Sequence, residues 1–115
     1  RIAGVAAADR ANEAPNGANV RVVDVGGRHV FPGLIGAKSS LGLVEIGAVR
    51  QSVDLDEIGD LSPEALAGIA LNPDSAAIPV ARSNGVLVAA VFPNGGLLPG
   101  RASVMQLDGW TNADM

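Results

Sequence analysis

The sequence predicts an α/β fold, in which an N-terminal β-hairpin leads into a β-loop-α-β unit. Three observations carry this. Residues 19–25, N-V-R-V-V-D-V, are mostly β-branched and run into Gly26-Gly27, a pair suited to a hairpin turn because glycine accepts positive φ. Residues 86–92, V-L-V-A-A-V-F, are apolar on both faces, as a parallel strand covered on both sides must be. Helix-start and helix-stop signals lie between a strand expected at 33–37 and this one, and a parallel pair needs such a crossover.

Taken in order, residues 2–7 are short and apolar enough for a strand, and residues 9–18 read as a loop. In the hairpin, Val20, Val22 and Asp24 alternate with Arg21, Val23 and Val25, and Arg28 to Phe31 return as the partner strand. Pro32 cannot donate a ladder hydrogen bond. The hairpin therefore stops there, and the chain divides into residues 1–32 and 33–115. Gly33–Ala37 follows as a buried strand. Residues 41–50 mix periodicities and contain glycines that weaken a helix, so irregular turns are expected.

Residues 51–62 form an acidic loop. Ser62-Pro63-Glu64 has the order cap, first-turn proline, first-turn carboxylate, and predicts a helix reaching Leu71. Asp74 or Ser75 caps a second helix over 76–82, in which Pro79 falls early enough to be tolerated. Asn84-Gly85 stops it. Pro93 to Gly96 ends the long apolar strand, and Ala102–Leu107 predicts another.

Composition excludes several functions. Lys and Arg number 8 against 12 Asp and Glu, a net charge of −4. Phosphate backbones need clustered cations, so neither nucleic acid nor an anionic membrane surface is an expected partner. No apolar run approaches the ~18 residues of a membrane-spanning helix. Cysteine is absent, which removes disulfides, thiolate metal sites and cysteine nucleophiles together without fixing a compartment. Aromatics are 3 % of a chain that is 48 % hydrophobic, so the core is built from Val, Ile, Leu and Ala. The sequence opens on Arg1 with no charged-then-apolar leader, the pattern of a processed chain or an internal piece.

The order V-V-D-V-G-G-R, H-V-F-P-G-L-I, then N-P-D-S-x-x-I-P-V-A-R-S-N-G-V and M-Q-L-D-G-W-T resembles the start of the amidohydrolase superfamily, in particular its imidazolonepropionase-like members. The resemblance covers roughly residues 20–115. It implies that the hairpin belongs to a small β-sandwich and that P-G-L-I enters the first strand of a (β/α)8 barrel, of which ~250 residues would be needed in full. It also implies hydrolysis of a non-peptide C–N bond. In active members Asp-Ala-His-x-His follows P-G-L-I, and its two histidines hold a divalent metal that polarises the carbonyl and acidifies the attacking water. The matching positions here are Gly36, Ala37, Lys38, Ser39 and Ser40. An ammonium cannot coordinate a metal, and a serine hydroxyl is a poor zinc ligand. No metal and no cofactor is expected.

Lys38 and Ser40 are the candidate site residues, with a substrate-side or packing role. A Ser-Lys nucleophile and base is the rival reading and requires a desolvated lysine held beside the hydroxyl. His29 is the chain's one histidine and reads as an ordinary strand residue. Asp54, Asp56, Glu57 and Asp60 faintly resemble a calcium loop. The fifth and twelfth ligand positions hold Ile58 and Ala65, which do not serve, so a solvated loop is expected. Gly95, Gly96 and Gly100 read as turn glycines, since no G-K-[ST] follows; Trp110 reads as a packing anchor in a full-length protein, or as part of an exposed contact surface if the chain is truncated. The catalytic residues are unassigned. An incomplete barrel exposes sheet edges and an apolar face, so the expected partner is the rest of the barrel or a second copy of this chain.

Overall fold

The computed structural model describes residues 4–7, 17 and 19–115. It divides into two compact units, Arg1–Val30 and Phe31–Met115. In the first unit Gly26 and Gly27 adopt φ of 59° and 75°. Arg28 N donates to Val25 O at 3.1 Å, and Gly26 N donates to the Asp24 carboxylate at 2.8 Å. The turn therefore forms where the glycines demand it, but its flanks are not β-strands. No residue from 19 to 32 lies in a strand, and neither do residues 4–7; residues 2 and 3 of that predicted strand, and most of the loop at 9–18, fall outside the described residues. The hairpin expectation is corrected. Val22 and Val23, on opposite faces of the predicted strand, are both exposed, and a two-stranded ribbon with no covered face is marginal in water.

The second unit is α/β. A three-stranded mixed sheet is ordered β1-β2-β3, with β1 at Leu34–Ser39, β2 at Val86–Val91 and β3 at Ser103–Gln106. β1 and β2 are parallel, and β3 returns antiparallel to β2. The crossover between β1 and β2 carries a 3-10 turn at Arg50–Ser52 and two helices, α1 at Ala67–Ala70 and α2 at Ala77–Ser83. The predicted parallel pair and its intervening second helix are thus present.

The start of α1 departs from the prediction. Ser62 is buried, its N–H donates to Leu98 O at 2.8 Å, and its carbonyl closes a turn with Ala65 N. Leu66 then bridges Arg101 before the helix begins at Ala67. Pairing with the 98–101 segment takes the backbone groups that the cap would have used, leaving one helical turn. At α2 the Ser75 hydroxyl accepts from Ala77 N at 3.4 Å, and Gly85 takes the left-handed stop with φ 87°. Arg82 pairs with Asp108 at 3.0 Å on the surface.

Register sorts the sheet into two faces, because directly paired residues share a face. Gly36, Ala89 and Met105 form one row, and Ser39, Val91 and Ser103 the next. These rows meet the helices: α2 packs on β2 and α1 on β3. The core is Ala89, Val91 and Met105 from the sheet, with Leu43, Leu71, Ile78 and Leu107 closing over them. The opposite face carries Ile35, Val88, Gln106, Ala90 and Val104. Ile35 and Val104 there are 71 % and 73 % exposed. The expectations of a buried strand at 33–37 and of a strand buried on both sides at 86–92 are corrected. The helices lie against a single face, and β1 is an edge strand.

Two close approaches hold the loops beyond β2. Leu55 O accepts from Asn94 N at 2.6 Å, and Asp60 O accepts from both Leu97 N and Leu98 N at 2.8 Å. Gly96, with φ 52°, would place a Cβ 2.8 Å from Asp60 O, so no side chain fits there. The acidic loop is therefore tied by its backbone while its carboxylates face solvent. Trp110 is 91 % exposed, the outcome expected of this ring when the segment that would cover it is not part of the unit. No helix among the described residues is long and apolar enough to cross a membrane.

Candidate functional site

The C-terminal ends of β1 and β2 lie side by side because the strands are parallel, and in open α/β sheets ligands bind beyond those ends. Between Gly36 and Ser39 the register slips: Gly36 pairs with Ala89, and Ser39 with Val91. Three steps along β1 match two along β2, so the strand bulges at Ala37-Lys38. Such bulges re-aim side chains at strand ends. Beyond the bulge, Ser39 O accepts from Phe92 N at 2.9 Å, which ties the two strand ends together. The Ser39 hydroxyl accepts from Leu41 N at 2.9 Å, and Ser40 O accepts from Leu43 N at 3.0 Å. These bonds turn the chain away from the sheet.

Lys38, Ser39, Ser40, Phe92 and Asn94 line one open concavity of about 470 Å³ at this end. Lys38 and Ser40 are exposed, and Phe92 is half-buried. Ser39 is committed to the backbone. Lys38 pairs with no carboxylate among the described residues, whose one ion pair is Arg82 with Asp108. The site thus offers a lysine ammonium, a serine hydroxyl and a carboxamide beside an aromatic ring.

The residues present do not fit the divalent metal that the family pattern implies. The two positions that would donate imidazole nitrogen carry an ammonium and a hydroxyl. Among the described residues no three His, Cys, Asp or Glu side chains gather as a metal set. His29 lies in the first unit, exposed and outside any strand. The Ser-Lys alternative finds no burial to desolvate Lys38.

Phe92 and Asn94 were not singled out from the sequence. Their signal lies in topology: Pro93-Asn94-Gly95-Gly96 follows the one strand parallel to β1, so its first residues must emerge beside Lys38.

Fold and comparison together make this chain amidohydrolase-like. It superimposes on the crystal structure of an amidohydrolase from Thermotoga maritima MSB8 with a TM-score of 0.78 and 27 % sequence identity, over 89 % of this chain. The chain spans 27 % of the length of that protein. No protein-family model and no curated protein sequence matches it.

Proposed function

We propose that this chain is the N-terminal portion of an imidazolonepropionase-like amidohydrolase, a hydrolase of non-peptide C–N bonds, and that this portion supplies scaffold and no metal ligand. The observation that carries the reading is the superposition over 89 % of this chain and 27 % of the Thermotoga maritima amidohydrolase. The one-sided burial of the sheet supports it. A parallel β-α-β piece of a (β/α)8 barrel has helices on its outer face and an apolar inner face that only the remaining strands cover. Here Ile35 and Val104 stand on such an uncovered face. In this reading residues 1–32 belong to a small sandwich, 33–115 to the barrel, and the partner is the rest of the barrel.

The same face favours a second reading, a non-catalytic interaction module derived from such a barrel and covered by a second copy of this chain. Lys38 and Ser40 take a substrate-side role in the first reading and none in the second. The discriminating experiment is a chimaera in which the matched segment of the Thermotoga maritima amidohydrolase is replaced by this chain. The barrel reading predicts a soluble monomer with one cooperative thermal transition. A chimaera that aggregates, or melts in two separate transitions, contradicts it.

A further inference from the structure

We propose that Lys38, Ser40 and Asn94 form a site for a small organic carboxylate, seated against the Phe92 ring at the C-terminal ends of β1 and β2. The choice of carboxylate draws support from the hydrolase reading above, because cleaving an amide C–N bond releases one; the site itself rests on the following geometry.

Every side chain with spare hydrogen-bonding capacity in this concavity donates. Lys38 is the one lysine in the sequence, and it lines the concavity with its charge uncompensated by any ion pair among the described residues. Ser40 and Asn94 also line it, and neither side chain hydrogen-bonds to another group among the described residues, whereas the Ser39 hydroxyl is spent on Leu41 N. No carboxylate lines this concavity, although the chain is net acidic by four charges. An ammonium beside a hydroxyl and a carboxamide, each able to turn a donor toward a ligand, with no carboxylate on the lining, complements an anion, and charge-assisted hydrogen bonds are the strong ones.

The anion's class follows from what is missing and what is present. One cation, with no arginine on the lining, matches a planar monoanion better than a phosphate dianion, which is ordinarily held by several cationic or backbone donors. Phe92 is half-buried on the same wall and gives an apolar substituent a surface to lie on. The Ser39–Phe92 and Leu55–Asn94 backbone hydrogen bonds of 2.9 and 2.6 Å fix the main chain that carries the donors.

The single lysine makes the test direct. Reductive 13C-dimethylation keeps the ammonium charge and labels only Lys38 Nζ and the N-terminal amine, which serves as the internal control. Titrating the whole chain with sodium phenylacetate is expected to move the Lys38 resonance along a saturating curve with a midpoint on the order of millimolar, as suits an exposed charge. The N-terminal resonance changes linearly. Phenylacetamide, with the same ring and no charge, produces no saturation, and inorganic phosphate at matched ionic strength gives only a linear drift. Ser40→Ala and Asn94→Leu, read by the same label, each raise the midpoint by about threefold or more, the loss of one hydrogen bond to a charged group. Parallel drift of both resonances, or unchanged midpoints in both variants, overturns the site. Phosphate saturating as tightly as phenylacetate overturns the carboxylate assignment. Because the readout is binding to the chain alone, its failure leaves the chimaera result intact, and a failed chimaera leaves this titration to stand or fall by itself.

Discussion

Truncating Val91 and Val104 separately tests whether the sheet is covered on one side only. Val91 is fully buried beneath the helices, and Val104, one strand over, is 73 % exposed on the opposite face. Each change to alanine removes two methyl-sized groups. At about 0.8 kcal/mol per group the transfer cost at Val91 is roughly 1.6 kcal/mol, and the cavity left in a packed core raises the total to roughly 2–3 kcal/mol. At Val104 the removed surface is already wet, so the cost is within about 0.5 kcal/mol. With a urea slope of roughly 1–1.5 kcal/mol per molar for a chain of this size, Val91→Ala lowers the midpoint by roughly 1.5–3 M and Val104→Ala by less than about 0.5 M. Urea titrations at micromolar protein, followed by circular dichroism, measure both. Equal shifts would refute the one-sided sheet. A Val104→Ala cost that grows with protein concentration would identify a second copy as the cover and favour the interaction-module reading.

Two further outcomes follow from the same structure. Gly96→Ala is expected to destabilise the chain by about 1–3 kcal/mol, because φ is 52° and the new methyl would meet Asp60 O at 2.8 Å; a urea midpoint unchanged by this variant contradicts the description of the acidic loop's anchor. Equilibrium dialysis against zinc is expected to leave the chain without stoichiometric metal, since Lys38 and Ser40 stand where the family resemblance would place histidine ligands; one zinc per chain, lost on Lys38→Ala, contradicts the donor-set argument.

The contrast between what the sequence revealed and what it concealed has a physical pattern. Val86–Val91 was legible because an apolar, Val-rich run bounded by Gly85 and Pro93 favours a strand locally, and its parallel partner, expected at 33–37 after the break at Pro32, forms at Leu34–Ser39. The α2 helix was legible from its flanks at Ser75 and Gly85, which act within one turn of their own positions, although its N-cap is Ala76, with no side-chain cap bond, and not the expected Asp74 or Ser75. The hairpin at 20–31 was not, because pairing there depends on a covered face that no local pattern encodes. The α1 start was displaced for a similar reason: Ser62 and Leu66 bond to Leu98 and Arg101, more than thirty residues away, and long-range pairing overrides a capping signal. Burial on both faces of the sheet was inferred from hydrophobicity, yet hydrophobicity marks a surface that can be covered, not one that is. At the site, Lys38 and Ser40 came from a motif, whereas Phe92 and Asn94 required knowing which strand lies beside β1.

The central claim is that the open sheet of this chain is completed by further strands of an amidohydrolase-like barrel. Hydrogen exchange of the β1 amides that do not pair with β2, measured in the chain alone and in the Thermotoga maritima chimaera, tests it most directly. The account predicts rapid exchange in the chain alone, where β1 is an edge, and protection by two or more orders of magnitude, roughly 3 kcal/mol of local opening energy, in the chimaera. Amides that exchange equally fast in both would contradict it.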